Sequence, residues 1–420
     1  MTDDTGTPAG AEPIEDDRFA AFRNSRFLRY WLARFFAAFA TQVVIVSVGW
    51  QVYDLTRDPL DLGLIGLCQF LPSLLLVLVT GAAADRYSRR LIMGLAILVE
   101  TVGALALFLL TWHGLTTPLP VFAILVGFGI ARAFFGPASQ SLVVNIVEKR
   151  ELANAIAWNS SSWQVASIVG PVAGGLLYGL SPLAAYGTGL ALFSAAAILV
   201  FSIRAPVQAR VEGETRDLRT ILAGFRFIWH EKIVLGAISL DLFAVLLGGA
   251  VALMPVYARD VLHVGPWGLG LLRAAPGIGA IAMAAWLAAH PVRDNAGRIM
   301  FVFVAVFGAA TTVFGLSTAP WLSIAALVVM GAADMISVYV REILLQLWTP
   351  DAVRGRVNAV NMVFVGASNE LGEFRAGVMA SLLGAVPAVA LGGVATVGVA
   401  ALWAALFPGL RRIRHLSARH

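Results

Sequence analysis

The sequence holds one cysteine, Cys68, and two lysines, Lys149 and Lys232, in 420 residues. Only 13% of it is charged, about half the roughly 25% of an ordinary soluble domain. So few charges cannot cover a water-soluble body of this size. That excludes a soluble enzyme, a disordered chain and a conventional nucleic-acid binder. A lone cysteine inside an apolar run excludes an intrachain disulfide and a cysteine-rich metal site. The histidines, His113, His230, His263, His290, His415 and His420, are scattered without metal-ligand spacing, so no metal is expected. No Gly-x-x-x-x-Gly-Lys-Ser/Thr loop occurs, which argues against ATP as the energy source. No Gly-x-Ser-x-Gly element or His-x-x-x-x-Asp box occurs either, which argues against an enzyme.

What is present is apolar sequence: 59% of residues are hydrophobic and the mean hydropathy is +0.81. A spanning helix takes about 20 mostly apolar residues. That ruler predicts an all-α membrane protein with twelve spans, at 28–52, 62–83, 91–111, 118–141, 155–176, 182–203, 233–257, 267–289, 299–316, 320–345, 357–383 and 386–407. The tenth carries several charges. The basic residues sit on alternate connections, from Arg23, Arg26 and Arg29 through Arg86, Arg89 and Arg90 to Arg411, Arg412 and Arg414. The intervening connections are neutral or acidic, and the positive-inside rule then puts both termini in the cytoplasm. The first seventeen residues are acidic and lack the basic start and apolar core of a signal peptide, so 1–26 is expected to be a disordered tail.

The longest connection, 204–232, is polar and then amphipathic through Ile221, Phe225, Phe227 and Ile228, the pattern of an interfacial helix. It separates two six-helix halves, 27–203 and 233–408, followed by a basic tail at 409–420. Arg150-Glu-Leu-Ala-Asn154-Ala155 recurs as Arg354-Gly-Arg-Val-Asn358-Ala359 in the corresponding loop, and Asp85-x-x-x-Arg89 has an echo in Asp294-x-x-x-Arg298. Paired matches within a 6+6 arrangement point to a duplicated transporter.

The loop after the second span reads Gly81-Ala-Ala-Ala-Asp85-Arg86-Tyr87-Ser88-Arg89-Arg90. It resembles the Gly-x-x-x-Asp-Arg-x-Gly-Arg-Arg signature of the major facilitator superfamily, with Ser88 for the second glycine. The fifth span carries Gly170-Pro171-Val-Ala-Gly174-Gly175, preceded by Ala166, and is similar to the Gly-x-x-x-Gly-Pro-x-x-Gly-Gly signature of the superfamily's drug:proton antiporters. Arg132-Ala-Phe-Phe-Gly136 on the fourth span matches that branch's Arg-x-x-x-Gly element. On the eleventh, Asn369-Glu370-Leu-Gly372-Glu373-Phe resembles a subgroup of siderophore exporters of the enterobactin type, close to macrolide exporters; Arg375 stands where that subgroup tends to be acidic. The resemblance implies a conformational latch at Gly81, Asp85, Arg86, Arg89 and Arg90, a bending span at Gly170, Pro171, Gly174 and Gly175, and a central cavity lined by spans one, four, seven and ten.

An ionisable side chain at bilayer depth costs roughly 2.5 kcal/mol or more, so it needs a partner, a wet cavity or a function. Arg132, Asp241 and Asp334 fall inside spans four, seven and ten, Arg273 in the outer third of span eight, and Glu370 and Glu373 one turn apart on span eleven. These six are the candidate substrate and proton-coupling residues. Asp241 or Asp334 is expected either to pair with Arg132 or Arg273 as a fixed bridge or to carry protons. Glu370 and Glu373 are expected to share Arg375, leaving one carboxylate free to titrate. Arg341 and Glu342 read as gate or interface residues, and Glu100 falls on a lipid-facing or edge span. Trp50, Trp158, Trp163 and Phe243 could stack on a bulky substrate or simply pack.

The expectation is therefore a monomeric multi-pass transporter of the plasma membrane that works with a small-molecule substrate. It exports amphipathic drug-like or siderophore-like molecules by alternating access, without a cofactor and driven by the proton gradient. Uptake or lipid flipping on the same fold, and a membrane-embedded enzyme or sensor, are the alternatives.

Overall fold

The computed structural model describes residues 19–204, 218–292 and 294–413. Of the predicted tails, 1–18 and 414–420 lie outside the described residues, as does 205–217 of the polar stretch after Arg204. The rest is ordered, with a 3-10 turn at Ala20–Arg23, the first span beginning at Ser25 and a helical turn at Pro408–Arg411. The disordered tail expected over 1–26 therefore does not extend to Ala20. Among the described residues the chain is helical, with no strand. Eleven helices among the described residues are long and apolar enough to cross a membrane. The first six are Ser25–Thr56, Pro59–Arg86, Arg89–Trp112, Leu119–Ile146, Leu152–Leu180 and Pro182–Phe201. The next four are Lys232–Val261, Gly265–Ala289, Ala296–Leu316 and Pro320–Trp348, and Ala385–Leu406 is the last. Between the last two runs Asp351–Leu383, which lies beside spans two and seven as a full-length helix. Its load of Asn369, Glu370, Glu373 and Arg375 keeps it below the apolarity of its neighbours. It is the eleventh span, and the count of twelve holds.

Each half is a six-helix bundle with its own small-residue seams. Gly129 on span four sits against the Gln69 carbonyl on span two, where a Cβ would come within 2.3 Å of that oxygen. Such approaches pack helices without a hydrophobic driving force between them. The linker helix, Leu218–His230, follows the predicted amphipathic pattern. It buries Ile228 against Val234, Ile238, Leu345, Val357 and Val360, and leaves Phe225 and Trp229 exposed.

The two halves meet along spans five and eight and along spans two and eleven. At the first seam Gly175 and Gly270 let backbones touch: a Cβ on Gly175 would lie 2.4 Å from the Pro266 carbonyl oxygen, and one on Gly270 2.5 Å from that of Pro171. At the second, Gly63 and Gly377 face each other, a Cβ on Gly377 coming 2.9 Å from the Gly63 Cα. Each of these glycine contacts lies toward the end of the bundle away from the termini. In the antiporter-type motif of span five, Pro171 and Gly175 thus meet the other half, while Gly170 and Gly174 pack against Gln42 and Val43 of span one. Gly175→Val is expected to destabilise this closed arrangement by about 1–3 kcal/mol through overpacking. Spin labels across spans five and eight would report it as a longer distance in the variant.

Span seven is not one continuous helix. It is helical over Lys232–Gly248, extended through Gly249, and re-forms through short 3-10, α and π turns ending at Val261. Arg375 meets that break: its Nη2 donates to the Leu247 carbonyl at 2.6 Å and its Nη1 to the Met379 sulfur. A guanidinium on a helix's last carbonyls satisfies orphan acceptors and complements the dipole. This corrects the expected sharing of Arg375 by Glu370 and Glu373. Residues 373 and 375 are two positions apart on a helix, so they point to different faces.

Candidate substrate path and seam charges

Arg132 projects from span four to the other half, where its Nη1 donates to Glu370 Oε1 on span eleven at 3.0 Å. The arginine side chain is 63% exposed and the carboxylate 16%, so the pair lies at the wall of an open space. Glu370 and Glu373 project from one face of span eleven against Gly66 of span two, where a Cβ would lie 3.1 Å from Glu370 Oε2 and 3.5 Å from Glu373 Oε2. Glycine there lets two carboxylates fit between spans two and eleven. The charged neighbours of Glu373 are Glu370, Arg273 and Arg132. Among the described residues it makes no hydrogen bond or ion pair. Arg273 of span eight extends to Gly49 of span one, with a buried Nε that lacks a hydrogen-bond partner. Four of the six candidates, Arg132, Arg273, Glu370 and Glu373, therefore form one cluster at the junction of the halves.

The other two belong to a separate group inside the second half. Asp241 of span seven forms a buried ion pair with Arg341 of span ten. Asp334 has Asp241 and Arg341 as its charged neighbours. It stands seven residues, two helical turns, before Arg341 on the same face. The expected partnership of Asp241 or Asp334 with Arg132 or Arg273 is thus replaced by Arg341, which the sequence placed at a gate. Position 341 lies on the inward face of span ten, which a linear count of residues to the span end does not reveal. Glu342 instead accepts from Asn361 Nδ2 at 3.1 Å, tying spans ten and eleven. Glu100 is buried, at 8% exposure, and has Arg132 as its charged neighbour, so span three turns it inward rather than to lipid.

At the end away from the termini the halves are joined by charges. Arg259 pairs with Asp54 and lies 5.6 Å over the Trp50 ring. Arg57 pairs with Asp260 at 3.1 Å, and the Tyr53 hydroxyl donates to the same carboxylate. Each half thus contributes one acid and one base to the clasp. Half-exposed pairs are worth roughly 0.2–1 kcal/mol each, enough to bias an equilibrium without fixing it. Arg259→Glu is expected to open this end by a few-fold in population, and adding Asp54→Arg to restore it, as distances between labels across the clasp would show.

In the first half, near the terminal end, a cavity of about 620 Å³ is lined by spans one, four and five. Its polar lining is Arg34, Gln140, Asn159, Ser160 and Gln164, and Trp163 contributes the aromatic surface. Of the other expected stacking residues, Trp158 packs with Phe22 and Trp31, and Phe243 lies 5.1 Å from the Trp403 ring. The latch loop is described in part: Arg89 Nη1 donates to the Ser141 carbonyl at 3.1 Å, and Arg90 Nη1 to the Ile203 carbonyl at 2.6 Å. Arg86 is exposed, while the Asp85 side chain and the surroundings of Gly81 lie outside what is described.

A family model described as transmembrane secretion effector matches residues 17–417. The chain belongs to this family, within the major facilitator superfamily. It is a multi-pass membrane transporter and not an enzyme. Among its relatives is the enterobactin exporter EntS of Citrobacter koseri, 26% identical over 403 residues, covering 92% of this chain and 93% of that protein. EntS of Escherichia coli O1:K1 / APEC is 25% identical over 405 residues, with the same coverage of both chains. In fold the chain is similar to a bacterial homolog of the human lysosomal transporter Spinster in an inward-facing conformation. That match has a TM-score of 0.72 and 16% identity, and covers 96% of this chain and 98% of the other. A bacterial homologue of the iron transporter ferroportin, also inward-facing, matches with a TM-score of 0.67 and 15% identity over 93% and 99% of the two chains.

Proposed function

We propose that the protein is a monomeric proton-coupled exporter of small amphipathic, siderophore-like molecules, and that Glu370 with Arg132 forms its coupling element. The observation that carries this is the Arg132–Glu370 pair, a bond between the two halves at 3.0 Å inside the membrane. An exchanger must let its proton-loaded and substrate-loaded forms switch while holding its empty form back. In the empty form Arg132 and ionised Glu370 tie span four to span eleven. A proton on Glu370 neutralises the acceptor and loosens the tie. A charged substrate group that takes either partner has the same effect. Glu373, Arg273, Arg132 and Glu100 set the electrostatic surroundings in which this proton moves. The enterobactin exporters among the relatives support export of a siderophore-like molecule, and the arginine-bearing loops support a cytoplasmic orientation for the terminal end.

The clasp at Asp54, Arg57, Arg259 and Asp260 would then be the outer gate, and the arginines after span two the latch that closes the inner side. The test is efflux of a fluorescent amphipathic solute from proteoliposomes with an imposed pH gradient. Efflux should accelerate several-fold when the receiving side is acidic. Uptake in the same direction as the proton, or no response to the gradient, would replace this reading with uptake or lipid flipping.

A further inference from the structure

We propose that the cavity between spans one, four and five binds an amphipathic organic anion, with Arg34 as its charge-recognition residue. This rests on the reading of the chain as a carrier of small amphipathic molecules and adds the sign of their charge. Among the described residues, Arg34 is the one charged side chain in the cavity lining. Its Nη1 is held by neutral groups, the Ser139 hydroxyl at 2.9 Å and the Tyr30 hydroxyl at 3.3 Å. Tyr30 is itself fully buried, and its hydroxyl donates to the Ser139 carbonyl at 2.9 Å. The guanidinium is therefore positioned by an anchored pair of hydroxyls. No carboxylate neutralises it among the described residues.

A positioned arginine without a counter-ion presents its remaining N–H fork to whatever enters, and that fork matches a carboxylate, phenolate, sulfonate or phosphate. A second, independent feature is Asn159, which is 7% exposed and whose Oδ1 is buried without a hydrogen-bond partner. Buried polar atoms are normally satisfied, so an orphan in a cavity wall marks a place for a ligand's polar group. Gln140, Ser160 and Gln164 add further donors and acceptors, while Trp163, Val144 and Ile156 offer aromatic and aliphatic surface. One cation, several neutral hydrogen-bonding groups and an indole fit a flat or apolar anion and disfavour a cation. Gln140 also lies eight residues after Arg132 on span four, about two turns or roughly 12 Å along one face. The anion thus has a second arginine further along the same helix.

The chemistry admits two sources, a soluble anion or the headgroup of an anionic lipid. The experiment uses the full chain in nanodiscs of phosphatidylcholine. Tryptophan quenching is followed on titration with naphthalene-2-carboxylate and, separately, with 2-naphthylmethylammonium. The expected result is saturable binding of the anion at least tenfold tighter than of the cation, with the quenching largely lost in Trp163→Phe. Arg34→Gln should weaken the anion tenfold or more, Arg34→Lys less, and Asn159→Ala a few-fold, with the cation unaffected. Repeating the titration with phosphatidylglycerol in the disc separates the sources. Competition by the lipid supports a headgroup as the anion, and its absence supports a soluble one. Equal binding of the two probes by the wild-type protein, or unchanged anion binding in Arg34→Gln, overturns the proposal. No gradient enters this assay, so a failure of proton coupling and a failure of the anion site are separately visible.

Discussion

Asp241→Leu is expected to destabilise the protein by about 3–5 kcal/mol, the cost of leaving a buried guanidinium without its partner. The Arg341 side chain is 4% exposed and that of Asp241 10%, so neither end of the pair can be rescued by water. Unfolding of the purified protein followed by tryptophan fluorescence would measure the loss. The double variant Asp241→Leu with Arg341→Met should recover most of it, because well-packed apolar replacements of a buried pair are often neutral. Asp334 adds a further check, since Arg341 and Asp241 are its charged neighbours. If Asp334 takes over the guanidinium, Asp334→Asn in the Asp241→Leu background will cost more than in the wild type. An Asp241→Leu variant as stable as the wild type would mean that the pair contributes nothing to the fold.

Glu370→Gln carries the second large effect, and it is one of function. The amide keeps the shape of the side chain but removes both the charge that holds Arg132 and the site for the proton. The empty carrier is then free to switch. Downhill efflux in the absence of any pH gradient should proceed at least as fast as in the wild type, while acceleration by an acidic receiving side disappears. A loss of downhill efflux instead would assign Glu370 to the fold or to substrate contact. Glu373→Gln should leave the Arg132 tie in place and retain coupling in part, since Glu373 acts as an electrostatic neighbour of Glu370.

The fold was legible because membrane spans follow a single strong rule, apolar length, and the arginine-bearing loops order them. Even Asp351–Leu383, which carries four strongly polar residues in its centre, was readable from its flanking apolar turns and Gly384. The seam glycines of span five were legible as a motif, although only the structure places Gly175 on span eight. Among the charges, Glu370 and Glu373 could be read as one face from their spacing. The partner of Glu370 could not, because Arg132 lies 238 residues away and meets it only when the two halves pack. The same limit hid Arg341 behind its position near a span end. Arg375 looked like a misplaced charge. Its role depends on the break in span seven at Gly248 and Gly249, and the Leu247 carbonyl exposed there has no sequence signature beyond two glycines. Arg34 went unnoticed because an arginine early in the first span reads as one more member of the basic end.

The central claim is that one titrating tie between the halves converts a proton gradient into export, and steady-state accumulation as a function of the gradient tests it most directly. One pH unit is worth about 1.4 kcal/mol per proton. With the membrane potential clamped at zero, a one-for-one exchange should therefore raise the accumulation ratio of the solute about tenfold for each unit imposed across proteoliposomes. Glu370→Gln should hold that ratio near one at every gradient while still equilibrating the solute. An accumulation ratio in the wild type that stays flat as the gradient grows, or a Glu370→Gln variant that follows the wild-type slope, would contradict the account.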